Sequence, residues 1–128
     1  MYKIPKKKKI LIIDDDVFLV NLYMKKFIKE GFEFFCASDG DRGVEIAKKN
    51  YPDLIILDIH LPEKDGYEVL MEFKKNIITN SIPVIVLTNF FQKEDVKKFL
   101  KAGVKEYLIK SHFMPSEVVN KVKKILKV

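Results

Sequence analysis

Polar residues with chemical capability stand at the ends of apolar runs in this chain. "KILII" (Lys9–Ile13) runs directly into Asp14, Asp15 and Asp16, and "DLIIL" (Asp53–Leu57) into Asp58. "VIVL" (Val84–Leu87) is followed by Thr88 and Asn89, and "EYLI" (Glu106–Ile109) by Lys110. A carboxylate buried without a partner is costly, so an aspartate closing an apolar run needs a compensating charge. Crowded carboxylates repel one another and favour a cation between them. The available ligands are oxygens, with no cysteine set and no His pair at metal spacing, so the cation is a hard ion such as magnesium. Lys110 supplies a second positive charge.

The elements that must position these residues follow from periodicity. The short β-branched runs read as strands, apolar on both faces, as in a sheet covered on both sides. Each is followed by a segment of helical period. "DDDVFLVNLYMKKFIKEG" places Val17, Val20, Met24, Phe27 and Ile28 on one face, with an aspartate as N-cap and Gly31 as stop. "FEFFCA" (Phe32–Ala37) is the second strand, followed by a short helix to about Asn50. "GYEVLMEFKKN" (Gly66–Asn76) turns Val69, Leu70 and Phe73 inward. "KEDVKKFLKAG" (Lys93–Gly103) does so with Val96, Phe99 and Leu100, and the last helix (Pro115–Val128) with Val118, Val122, Ile125 and Leu126. Strand and helix alternate five times, which predicts an α/β fold with a doubly wound parallel sheet. In such a sheet ligands sit beyond the carboxyl ends of the strands, where the polar residues named above would gather.

At 128 residues the chain reads as one domain, with residues 1–8 a basic tail and 9–128 the folded unit. The formal net charge is +6, but the excess is nearly all lysine and Arg42 is the single arginine. Nucleic-acid readers use more arginine, so the charge reads mainly as solubility, with no direct nucleic-acid binding and no membrane association expected. No signal peptide is expected, since no apolar h-region follows the basic start, and no apolar window reaches membrane-spanning length. Cys36, the only cysteine, lies in an apolar stretch and is expected to be buried as a small hydrophobe. A cytoplasmic setting agrees with that single thiol. His112 reads as a surface residue, and neither histidine has a partner for general-base work.

Four motifs in order, "IIDDD", "LDIHLPEKDG", "VLTN" and "YLIKS", make the chain resemble a response-regulator receiver domain of the chemotaxis-regulator kind. The resemblance implies a flavodoxin-like (βα)5 fold with strand order 2-1-3-4-5. It implies that Asp58 accepts a phosphoryl group from a phosphohistidine on a histidine kinase or histidine phosphotransfer protein. Asp14, Asp15, Asp58 and the backbone carbonyl of His60 would bind Mg2+, with Mn2+ as an alternative. Thr88 and Lys110 would stabilise the phosphoryl group. Thr88 and Tyr107 would form the switch that changes a docking surface, and His60 and Phe90 would tune dephosphorylation. The protein would then be a signalling phosphoacceptor rather than an enzyme, a monomer or a weak phosphorylation-linked dimer. It would be a single-domain regulator acting by docking, or the receiver part of a longer one.

The rival within the family is a pseudo-receiver, an interaction module that is never phosphorylated; the complete acceptor set argues against it. A flavodoxin-like cofactor binder lacks its phosphate loop here. An aspartate phosphatase wants a second acid two residues after the first, where this chain has His60. Two positions depart from the family pattern: Asn89 replaces a small residue, and Ser111 follows Lys110 where proline is usual.

Overall fold

The computed structural model describes residues 6–128; most of the basic tail expected at residues 1–8 lies outside them. Five strands, β1 (Lys9–Ile13), β2 (Glu33–Ala37), β3 (Leu54–Leu57), β4 (Val84–Thr88) and β5 (Glu106–Ile109), alternate with five helices. The helices are α1 (Val17–Lys29), α2 (Gly40–Asn50), α3 (Gly66–Lys75), α4 (Lys93–Lys101) and α5 (Pro115–Leu126). All strand pairs are parallel, in the order β2-β1-β3-β4-β5.

Alternation along the strands divides the core into two layers. Leu11, Ile13, Ile55, Leu57, Val84 and Val86 pack with side chains of α2, α3 and α4. Ile10, Ile12, Leu54, Ile56, Ile85 and Leu87 pack on the other face with α1 and α5. Each fully buried aliphatic side chain contributes roughly 1.5–3 kcal/mol. A sheet buried on both faces can therefore offset a few strained or charged residues at its rim.

Three helices begin on an aspartate whose side chain accepts a backbone N–H three residues on: Asp16 from Leu19, Asp39 from Arg42 and Asp65 from Glu68. Two glycines permit close packing at the level of the site. A Cβ on Gly66 would press into the backbone of Ile59 and lie 2.9 Å from the Asp58 carbonyl oxygen. A Cβ on Gly43 would strike the Ile13 side chain.

Four expectations about burial need correction. The buried stripe of α1 is Val20, Tyr23 and Phe27, so Val17 and Ile28 are exposed. Ile28 lies about 100° round the helix from Phe27, and Val17 is the first residue of α1, at its open end. Tyr23, amphipathic by sequence, takes the inward position. Leu100 is exposed, because α4 buries only Phe99. Cys36 is also exposed, since β2 is an edge strand bonded to β1 alone. The Lys110–Ser111 bond is trans.

Candidate functional site

Register places the site. Ile13 pairs with Leu57 across β1 and β3, so Asp14 and Asp58 emerge side by side. Their own amides extend the ladder: the Asp14 N–H donates to Ala37 at 2.9 Å and the Asp58 N–H to Ile13 at 3.0 Å. Thr88 pairs with Ile109 on β5, so the next residue, Lys110, rises beside it. The residues expected at the strand ends therefore converge at one rim. Thr88 is 1% exposed, Asp14 4% and Asp58 5%. Asp15 is exposed and stands on the solvent side.

The two buried aspartates are held in the same way. Asp14 accepts the Asp16 N–H at 2.9 Å on one oxygen, and Lys110 Nζ lies 2.9 Å from the other. Asp58 accepts the His60 N–H at 3.1 Å on one oxygen and the Lys110 ammonium at 3.0 Å on the other. Both are Asx turns, in which a side chain bonds the amide two residues on. Burial pushes the Asp14 carboxyl above the usual carboxylate range; bonds from Lys110 and Asp16 oppose this, and the Asp58 charge adds to it. Burial works against the Lys110 ammonium, but its bonds to Asp14 and Asp58 prevail and its pKa lies above the ordinary lysine value.

One oxygen from each of Asp14, Asp15 and Asp58 falls within a 4.8 Å group. The set is all oxygen, with one exposed member, and so fits a hard divalent cation that keeps some of its water. The fit supports the expected ligands Asp14, Asp15 and Asp58. An open cleft of about 660 Å³ lies over them, lined by Asp15, Asp58, His60, Thr88, Phe90 and Lys110 among others.

His60 and Phe90 meet across this cleft, with ring centroids 4.6 Å apart. The Phe90 peptide carries a further link that the sequence did not reveal. Its N–H donates to Thr88 Oγ1 at 3.2 Å, and its carbonyl accepts the Tyr107 hydroxyl at 2.7 Å. The Tyr107 ring also packs edge-on to Phe99 at 5.9 Å. Burial, with the Asp95 and Asp58 charges, pushes the Tyr107 hydroxyl up to about 12. The backbone bonds at residues 16, 60 and 90 were missed because side-chain motifs do not show backbone partners. The Asp-x-Asp and Asp-x-His spacings were the available signal for the first two.

Lys64 forms a strap beside the cleft: its ammonium is 2.7 Å from Asp41 of α2 and also pairs with Glu72 of α3. It ties the segment between β3 and α3 to both helices.

Comparison with known proteins agrees with this geometry. The family described as response regulator receiver domain matches residues 10–123. The alkaline phosphatase synthesis transcriptional regulatory protein PhoP of Bacillus subtilis (strain 168) is 35% identical over 120 residues, covering 94% of this chain and 49% of its own length. A probable transcriptional regulator ycf27 of Porphyridium aerugineum is 31% identical over 121 residues, with 94% and 49% covered. The chain thus spans about half the length of these relatives. Among solved structures, a CheY-like response regulator receiver domain protein from Methanospirillum hungatei JF-1 superposes with TM-score 0.89 at 27% identity, covering 95% of each chain. The receiver domain of Francisella response regulator 1452 does so with TM-score 0.85 at 29% identity, covering 94% of this chain and 98% of its own. With its parallel sheet in the order 2-1-3-4-5 and its acidic rim, the chain belongs to the response regulator receiver domain family of two-component signalling.

Proposed function

We propose that Asp58 is the phosphoacceptor and that residues 9–128 form the receiver unit. The observation that carries this is the position of Asp58: it is buried at a strand end, with one oxygen on the His60 amide and the other on Lys110. In the transfer, an Asp58 carboxylate oxygen forms a bond to phosphorus while the P–N bond of a phosphohistidine breaks. The bonding pair leaves with the imidazole, and an acyl phosphate remains. Phosphoryl transfer depends on positioning and charge neutralisation more than on covalent machinery. Lys110 holds positive charge beside the acceptor, and the Thr88 hydroxyl is within the same cleft to donate to a phosphoryl oxygen.

Magnesium held by Asp14, Asp15, Asp58 and the His60 carbonyl, with Mn2+ as a substitute, would supply positive charge that screens the acceptor from the incoming phosphoryl group. The His60–Phe90 ring pair lies over the cleft and restricts water, which favours a slowly hydrolysing phosphorylated state.

The switch works through the Phe90 peptide. When the Thr88 hydroxyl turns to the phosphoryl group, the Phe90 N–H loses its acceptor, and the Tyr107 hydroxyl is bonded to the same residue's carbonyl. Thr88 and Tyr107 are thus coupled through one residue, a two-state element biased by local charge. The change would be read on the surface of α4, β5 and α5. The donor is a histidine kinase or phosphotransfer protein, and the setting is cytoplasmic. The relatives' names favour transcription as an output, through DNA-binding sequence outside the receiver unit.

The test is incubation with magnesium and acetyl phosphate, read by intact mass, with Asp58→Ala as control. A phosphoryl adduct on the native chain and none on the variant is expected. No adduct on either, even with a cognate kinase, would return the chain to the pseudo-receiver class.

A further inference from the structure

The net charge of +6 is divided between two poles. With a helix after each parallel strand, every helix starts at the end of the sheet that carries Asp58 and finishes at the other. The Asp58 end holds the capping residues Asp16, Asp39 and Asp65, with further acids in the first turns of α2 to α5. At the opposite end, the last turns of α1, α2, α3 and α5 carry two lysines each and that of α4 carries Lys101, while the Lys98 ammonium turns back over the Tyr67 ring at 3.7 Å. Lys8 and Lys9 enter β1 at that end, and Lys105 precedes β5. Acids there are few and partly engaged. Glu30 pairs with Lys123 at 3.2 Å, and Asp53 accepts the Lys9 N–H at 2.7 Å. Glu33 and Glu106 begin their strands, Glu106 pairing with Lys121 at 3.0 Å.

Cations at helix C-termini are favoured by the helix dipole, and this accounts for lysines one helix at a time. It does not account for the apolar side chains displayed among them; the acidic rim also displays Phe18 and Met114, but there they stand among acids, and here among lysines. Ile77, just after α3, is 87% exposed; Tyr51, just after α2, is 61% exposed; and Ile28, in the last turn of α1, is 56% exposed. Ile77 stands on a built turn. The Asn76 side chain accepts the Ile78 N–H at 2.8 Å, and the Asn76 carbonyl accepts the Asn80 N–H at 2.8 Å. The buried Thr79 hydroxyl donates to the Phe73 carbonyl at 2.8 Å. The turn is thus fixed while its isoleucine faces water.

We propose that this lysine pole docks on an anionic lipid bilayer, with the lysines at the headgroups and Ile77 entering the interface. Lysines with displayed aliphatic side chains are the composition that binds such a surface. A nucleic-acid surface would favour arginine forks and several stacking rings, whereas this pole has no arginine and, of the three side chains named, only Tyr51 offers a ring. The single arginine, Arg42, lies in the first turn of α2, at the other end. An aliphatic side chain gains nothing against a phosphate backbone. The charge separation also orients the molecule: the acidic rim is repelled from the bilayer, so the Asp58 cleft faces water. This revises the expectation of no membrane association. It stands apart from the phosphoacceptor reading, and Asp58→Ala should bind vesicles as the native chain does.

The test is sedimentation of the whole chain with vesicles of phosphatidylcholine alone or with about one third phosphatidylglycerol. Binding to the anionic vesicles only is expected, weakening at least about ten-fold between about 50 and 500 mM NaCl. The double variant Lys48→Glu/Lys75→Glu should lose binding by a similar factor. The chain has no tryptophan, so Ile77→Trp gives a single reporter whose emission should shift to the blue on anionic vesicles. Absence of binding to anionic vesicles, or an emission that does not move on binding, overturns the proposal. Tighter binding to a DNA duplex at the same ionic strength also overturns it, and assigns the pole to nucleic acid.

Discussion

Lys110 Nζ stands 3.0 Å from Asp58 Oδ2, and the same ammonium lies 2.9 Å from Asp14 Oδ2. One lysine is therefore the shared counter-charge of two buried carboxylates, one positive charge against two negative, and its removal leaves both without a partner. In metal-free protein at neutral pH, Lys110→Ala should lower the melting temperature by several degrees. Asp14→Asn should raise the melting temperature more in the Lys110→Ala background than in the native protein, so the pair is non-additive. Calorimetry on the two single variants and the double variant checks this; additive shifts would contradict the shared ammonium.

Asp14→Asn alone has a pH signature. The folded Asp14 carboxyl titrates above its unfolded value, so its protonated form favours folding. That contribution is complete below the unfolded pKa of about 3.9 and is lost as pH rises through the raised folded value. At neutral pH the ionised Asp14 is a liability. Asp14→Asn should melt higher than the native chain at pH 7 with chelator present, and the gain should disappear near pH 3.

Magnesium removes the same liability from outside. Adding it to metal-free protein should raise the melting temperature in proportion to the logarithm of its concentration above Kd. Asp15 is exposed and carries no buried charge, so Asp15→Asn should leave the metal-free melting temperature within about 1 °C while abolishing the magnesium response. A retained response would remove Asp15 from the ligand set.

The ring contact between His60 and Phe90 concerns lifetime rather than transfer. Phe90→Glu opens the cleft and places a carboxylate near any approaching water. Loss of the phosphoryl group, followed by mass after donor removal, should accelerate about ten-fold, below the roughly 10²–10⁴-fold of a fully positioned base. An unchanged rate would release Phe90 from this role.

Much of the site was legible because parallel sheets align their carboxyl ends. Knowing where each apolar run stops was enough to bring Asp14, Asp15, Asp58, Thr88 and Lys110 together. The double use of Lys110 was not legible, since it depends on how far the lysine side chain reaches from the end of β5 toward Asp14 on β1. Nor was the Phe90 link, because both its bonds use backbone atoms. Burial was misread where the rule was too coarse. Cys36 looked like core until its strand fell at the sheet edge, and Val17 and Ile28 until Tyr23 took the inward side of α1. The charge poles escaped notice because a net charge is a sum and carries no position.

Gly66 has one more consequence. Its N–H donates to the Ile59 carbonyl at 2.9 Å, and its bare α-carbon sits against the chain at Ile59. The polypeptide thus returns to its starting point after a short excursion, like a side road rejoining the highway. Traffic from β3 into α3 does not depend on the outer bend at Pro62–Glu63, and a short glycine–serine insert beside Glu63 should leave acetyl-phosphate labelling of Asp58 intact.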